Sequence, residues 1–156
     1  MDYQKYVQLA VDFWKKLDFA KRFLIVASIL VLVGVAVFLL NPAKKLLEMR
    51  NSQRRSDVVN ILNAVYQYRI DNGGALPANI SSAANMICSK KASSCEGLVD
   101  LSQVLVTEKK ILSEVPSDPR ESEPNISGYQ IFLSSNGRIN VTAPLAENNA
   151  VISLSK

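Results

Sequence analysis

The chain has 156 residues, of which 48% are hydrophobic, and a formal net charge of +4; beside any membrane segment this leaves room for one small globular domain. It contains no histidine, which excludes His-based acid–base catalysis, His-ligated metals and the usual physiological pH switch. The basic residues flank an apolar run and do not form a patch interleaved with aromatics, so nucleic acid is not an expected partner.

Residues 1–22, MDYQKYVQLAVDFWKKLDFAKR, predict an amphipathic helix. On a helical wheel the aromatic and aliphatic side chains share one broad arc and most lysines the opposite arc, whereas Asp18, Phe19 and Lys21 fit poorly. Such a helix is typical of the membrane interface. A cleaved signal peptide is the alternative, but the segment is long and aromatic and no small-x-small site follows the apolar run. The residues expected at the lipid headgroups are Trp14, Lys15, Lys16, Lys21 and Arg22.

Residues 23–40, FLIVASILVLVGVAVFLL, carry no charge and predict a single transmembrane helix. A bilayer core about 30 Å thick needs roughly 20 apolar helical residues, and backbone groups inside it must bond within the helix. The other interpretation, a buried core helix, is disfavoured because the rest of the chain is too small and polar to surround one.

Orientation does not follow from charge, since as many Lys and Arg residues precede the apolar run as follow it closely. The pair Cys88 and Cys95 predicts either a small disulfide loop outside the cytoplasm or two unrelated thiols inside it. We favour the first, which puts the chain in the cell membrane with a cytoplasmic N-terminus and residues 43–156 outside. Two sulfurs without imidazole make a four-ligand zinc site implausible.

Residues 41–72 are expected to continue the membrane helix through a kink at Pro42 and to end at Asn72-Gly73-Gly74. The stretch 48–57, EMRNSQRRSD, is polar all round and should be solvated or packed on partners. After it, apolar residues at i, i+3, i+4 and i+7 predict a face that carries a domain: Val58, Ile61, Leu62 and Val65.

Residues 73–156 predict a globular head. Ser81-Ser82 is expected to cap a short helix running toward Cys88, and residues 98–106 to form another. Residues 113–125, with three prolines, should be an extended surface loop in which Asp118 is a solvated turn residue rather than a calcium ligand.

The last thirty residues change to a period of two. Residues 128–134 and 138–143 read as strands joined by the hairpin turn Ser135-Asn136-Gly137, and residues 150–155 read as a third strand. The predicted fold class is therefore α+β, with a long helix packed on a small antiparallel sheet. The sheet residues expected in the core are Tyr129, Ile131, Leu133, Ile139 and Val141.

Catalytic signatures are missing from the sequence: G-x-S-x-G, P-loop, HExxH and G-x-G-x-x-G do not occur. The neighbours Ser89 and Lys91 are ordinary loop residues rather than a nucleophile and base. Asn79, Asn125 and Asn140 match the glycosylation pattern, as an Asn/Ser-rich chain does by chance. We expect no enzyme activity, no cofactor, no metal and no small-molecule substrate.

The arrangement over residues 23–155 resembles the type IV pilins and the pseudopilins of type II secretion. The resemblance rests on Asn41-Pro42-Ala43-Lys44, on residues 51–57, on residues 64–73 (AVYQYRIDNG) followed by Pro77, and on Val115-Pro116-Ser117-Asp118-Pro119 before Gly128-Tyr129. It implies a structural subunit of a pilus or secretion machine, whose partners are the lipid bilayer and other pilin-like subunits or an assembly platform.

Two positions depart from the family pattern. If Phe23 is taken as the first mature residue, Arg22 stands where pilin precursors have glycine, and Ala27 stands where they have glutamate. The peptidase site and the acid used in subunit docking are therefore missing, which leads us to expect a retained N-terminus. A single-pass protein that uses a pilin-like head for binding or sensing is the alternative function.

Overall fold

The computed structural model describes residues 3–77 and 79–156; the first two residues of the predicted interfacial helix lie outside this range. The chain forms two compact units, one ending at Lys44 and the other running from Lys45 to Lys156. Its three helices are α1 (Tyr3–Lys16), α2 (Phe19–Leu40) and α3 (Pro42–Asp71). Its four strands are β1 (Asn85–Cys88), β2 (Ile126–Leu133), β3 (Ile139–Thr142) and β4 (Ser153–Ser155).

The segment before the apolar run is not one helix, which corrects the expectation for residues 1–22. Helix α1 ends at Lys16, and Asp18 has an extended backbone that precedes the first residue of α2. Phe19 and Lys21 fit the wheel of α1 poorly because they belong to the next helix. The predicted membrane helix accordingly begins at Phe19 rather than at Phe23.

Helix α2 is long and apolar enough to cross a membrane, and none of its most apolar window is buried within the structure. That observation disfavours the buried core helix. One helix of this kind occurs in the described part of the chain, which agrees with a single membrane anchor.

A single residue, Asn41, separates α2 from α3, so the predicted kinked continuous helix is interrupted instead. Asn41 has a left-handed backbone with φ of 36°, and its N–H donates to Val37 O. Its side-chain oxygen accepts the N–H of Lys44 at 3.2 Å, as an N-cap residue does. Pro42 then stands at the first helical position, where its missing donor costs nothing.

The sheet is antiparallel with strand order β1-β2-β3-β4. Strands β2, β3 and β4 confirm the three predicted from the sequence, although β2 begins two residues before its predicted start and β3 and β4 are shorter than predicted. Strand β1 is a correction: residues 85–88 pair with β2 instead of forming a helix after Ser81-Ser82. Ser81 accepts the N–H of Leu133 through its carbonyl, which ties the segment before β1 to the end of β2.

Only part of the second predicted helix forms. Residues Ser102–Glu108 make a short π-helix, whereas Val99 lies in a bridge beside Ile87. Leu101 and Leu105 are buried, and Leu98 and Val104 are half-buried.

The core lies between α3 and the sheet, as predicted. Val58, Ile61, Leu62 and Val65 are buried, and so are Tyr129, Ile131, Ile139 and Val141, whereas Leu133 is half-buried. Further buried residues that the sequence did not single out for the core come from the loops and β1: Ile87, Val99, Val115 and Ile152.

Candidate functional site

A buried ion cluster is the most highly organised polar feature of the head. Arg54, on α3, is fully buried and donates to both oxygens of Asp118, from Nε at 2.6 Å and from Nη2 at 2.9 Å. Its Nη1 donates to Glu147 Oε2 at 2.8 Å and to Asn51 Oδ1 at 2.9 Å. One guanidinium therefore joins α3 to two separate loops, and the fork geometry of arginine suits this bidentate contact.

A second layer of contacts closes the cluster around Glu147. Arg50 donates to its carboxylate through two bonds of 2.6 Å, and Arg120 does so at 3.3 Å from the surface side. Asn51 donates to the backbone oxygen of Glu147 at 2.7 Å and accepts its N–H at 3.0 Å. The loop that precedes β4 is thus bonded to α3 through both main chain and side chain.

The charges in the cluster stabilise one another. Hydrogen bonds from Arg50 and then Arg54 lower the pKa of Glu147 to about 2. The bonds to Asp118 and Glu147 raise the pKa of Arg54 above its ordinary value despite its burial. Glu147 and Arg54 therefore stay ionised across the physiological pH range.

Asp118 corrects two predictions. Its side chain is fully buried and paired with Arg54, so it is not a solvated turn residue, and the polar stretch 48–57 is not solvated throughout, since Asn51 and Arg54 are buried. The loop 113–125 has no regular structure, as predicted, yet it is fixed to the core. Among the described residues no group of three or more His, Cys, Asp or Glu side chains could hold a metal ion.

Gly128 lets this loop approach the sheet. A Cβ at this position would lie 2.6 Å from the Cβ of Asp118, and the backbone there has φ of +83°. At the residue before Gly128, the backbone oxygen of Ser127 accepts the N–H of Asp118 at 2.8 Å. Only glycine meets both demands without strain.

A second polar pair, formed by the buried Tyr129 and the half-buried Asp57, links α3 to β2. The hydroxyl of Tyr129 donates to Asp57 at 2.7 Å. Burial, followed by this hydrogen bond, raises the pKa of Tyr129, so the phenol keeps its proton. Burial also raises the pKa of Asp57.

Cys88 and Cys95 form a disulfide, as predicted, with Cα atoms 5.5 Å apart. Cys88 is buried at the end of β1 and donates its N–H to Val99 O at 2.9 Å. The disulfide closes a loop that is further held where Ser89 donates its N–H to Asn125 O at 2.9 Å. This part of the head is a stapled loop region rather than a reactive thiol site.

An open polar cleft of about 610 Å³ lies beside the stapled loop. Charges of both signs line it, including Asp57, Lys90, Lys91 and Glu114. Lys90 is paired with Glu114 at 2.6 Å, so part of this charge is neutralised within the protein.

The residues predicted at the membrane interface lie at the end of α1 and the start of α2. Trp14, Lys15 and Lys16 occupy the last turn of α1, and Lys21 and Arg22 the first turns of α2. The guanidinium of Arg22 donates to the backbone oxygens of Leu17 and Lys15, each at 2.9 Å.

The sequence contains a local sign of the ion cluster, although Asn51 and Arg54 were not among the predicted site residues. Asn51 and Arg54 precede Val58 at the same three-to-four-residue spacing as the apolar stripe. The stripe therefore begins seven residues earlier, at Asn51, and its first two members are polar. Buried polar residues at that spacing indicate a helix face that is held in a domain by a hydrogen-bonded network.

Comparisons of this chain with protein-family models, with curated proteins and with solved structures give no match.

Proposed function

We propose that this protein is a non-enzymatic, membrane-anchored structural subunit of a type IV pilus or a type II secretion-like system. The observation that carries the proposal is that one long helix, α3, packs against the sheet and supplies one side of the core. Helix α3 follows a membrane-length apolar helix after a single residue, and its later turns supply the inner wall of the core. This layout, with a small antiparallel sheet against α3, is the one that the resemblance to pilins implies.

The polar groups of the head support a structural role. In the described residues no buried side-chain nitrogen or oxygen lacks a hydrogen-bond partner. The acids of the ion cluster are matched by arginines, and Tyr129 and Asp57 satisfy each other. Such pairing fixes the head in one shape and leaves none of these groups poised as a nucleophile or base.

The early turns of α3 offer a surface for other subunits. Leu46 is 51% exposed and Met49 is 61% exposed, and the two lie three residues apart on one side of the helix. Two exposed side chains make a small apolar area. They follow the apolar helix α2 closely in sequence, and a helix of a neighbouring subunit would pack at this point. Because Ala27 replaces the glutamate of the family, association would rest on surfaces of this kind.

Photo-crosslinking in the membrane of cells that make the protein tests the proposal. A photo-reactive residue at Leu46 or Met49 should yield an adduct whose second component is another copy or a different pilin-like subunit, identified by mass spectrometry. Gln67, exposed near the other end of α3, is the matched control and should yield little. If Leu46 and Met49 react no more than Gln67, or only with lipid, the subunit role is refuted.

A binding or sensing role for the head is the second candidate, and the 610 Å³ polar cleft is the observation that favours it. It predicts a soluble ligand whose binding is lost when charges in the cleft are reversed, as in Lys91→Glu. The subunit role predicts that the same variant crosslinks through Leu46 and Met49 as well as the original protein.

A further inference from the structure

We infer that Arg22 stabilises the break at Leu17 and Asp18 between α1 and α2, which we call the elbow. The elbow keeps the apolar face of α1 on the bilayer that α2 crosses. The partner of this face is the headgroup layer of that bilayer, with anionic phospholipid opposite the lysines. The inference rests on the membrane insertion of α2, which the experiment below checks separately.

The elbow is built from backbone oxygens at the end of α1. Such oxygens have no partner within their own helix, and a basic side chain can supply one. Arg22 supplies it from the next helix, with Nε bonded to Leu17 O and Nη2 to Lys15 O, each at 2.9 Å. Its own N–H donates to Asp18 O at 3.1 Å, so a single residue bridges both sides of the break.

The face of α1 is strongly apolar and uncovered. None of its described residues is buried, and the side chains of Tyr6, Leu9 and Phe13 are each about 60% exposed. An aqueous helix does not keep so many large apolar groups in water without a partner. Trp14 lies among them and is 40% exposed, and an amphipathic ring of this kind suits the headgroup layer.

Charge and position point to lipid rather than to a second copy as the occupant. Lys15 and Lys16 end the helix, and Lys21, with 69% of its side chain exposed, follows after the elbow. Two copies of α1 packed side by side would bring like charges together, whereas lipid phosphates complement them. The apolar α2 begins three residues after α1 ends, which places α1 beside the membrane surface.

Arg22 is therefore a positioning residue rather than a lipid ligand. Its fork reaches two oxygens at once, and the compact ammonium of a lysine does not reproduce that geometry. A lysine at this position would keep the charge and lose the bridge.

Trp14 is the only tryptophan of the chain, so its fluorescence reports on α1 alone. The full chain is reconstituted in vesicles of phosphatidylcholine with phosphatidylglycerol, with bromine carried either high or low on the acyl chains. We expect Trp14 emission to be blue-shifted and quenched most by the shallow bromines. Arg22→Lys and Arg22→Gln should both lose most of that quenching and shift to the red, whereas Lys44→Gln, which removes one exposed positive charge after α2, should stay close to the original protein.

Three outcomes would overturn the inference. Trp14 emission of a water-exposed indole in the original protein, with protease protection still showing α2 inserted, would remove the lipid face while leaving the anchor in place. Equal behaviour of Arg22→Lys and the original protein would show that charge matters and the bridge does not. A blue shift that appears only as protein concentration rises at constant lipid would assign the face to a second copy.

Discussion

Removing Arg54 should destabilise the head more than any other single change at its polar positions. The substitution Arg54→Met keeps much of the side-chain length but leaves the fully buried Asp118 without its cation. Loss of one partner from a buried pair costs about 3–5 kcal/mol. For a head of this size that corresponds to a fall in Tm of about 10–25 °C. Glu147 loses less of its pairing in this variant, because Arg50 still donates two hydrogen bonds to its carboxylate.

The assay is thermal and urea unfolding of the full chain in detergent, followed by hydrogen exchange of the amides of β2 and β3. Arg55→Met is the matched control, since the neighbouring arginine is exposed and its loss should change the free energy of unfolding by no more than about 0.5 kcal/mol. Arg54→Met combined with Asp118→Leu should recover part of the loss, because an apolar pair replaces the orphaned carboxylate. Equal stability of the two single variants would refute the buried cluster.

Three further changes test the head. Leu62→Ala should cost about 2–5 kcal/mol because it leaves a cavity in the core, whereas Val59→Ala, at a position 40% exposed, should be nearly neutral; equal melting curves would contradict the packing of α3 on the sheet. The pKa of Glu147 is lowered in the folded state to about 2 from its usual 4.5, so its contribution to stability should be present above about pH 4.5 and be lost as the pH falls toward 2. Glu147→Gln should flatten this part of the plot of stability against pH. An unchanged slope in the variant would count against the pairing of Glu147 with the arginines. Unreduced protein should give a linked peptide pair containing Cys88 and Cys95, and reduction should lower the free energy of unfolding by about 2–3 kcal/mol; two freely alkylated thiols would exclude the disulfide.

The spacing of apolar residues along the chain was enough to predict the elements whose apolar faces are buried in the core. The period of Val58, Ile61, Leu62 and Val65 predicted the face of α3 that meets the sheet, and alternation in the last residues predicted β2 and β3. Strand β1 was missed because residues 85–88 are too short to show a period, and their extended form depends on pairing with a strand far away in sequence.

The ion cluster was missed for a different reason. A polar residue on a helix surface and one buried against a distant acid look the same in a sequence. Arg54 meets Asp118 and Glu147 only after the loops have folded, because 64 and 93 residues separate the partners. The spacing of Asn51 and Arg54 ahead of Val58 was the available local sign. The elbow at Leu17 and Asp18 also had a local sign, because Asp18, Phe19 and Lys21 fit the helical wheel of α1 poorly.

The most direct test of the whole account asks whether the head and α1 lie on opposite sides of a membrane. Since Cys88 and Cys95 are joined, a single added cysteine is the only free thiol for labelling. Ser135→Cys in the exposed hairpin turn and Lys5→Cys on α1 are both at exposed positions and can be treated with an impermeant maleimide in right-side-out vesicles. The account predicts that Ser135→Cys labels at once and Lys5→Cys only after the vesicles are opened; labelling of both from the same side would contradict a membrane-spanning α2 with an external head.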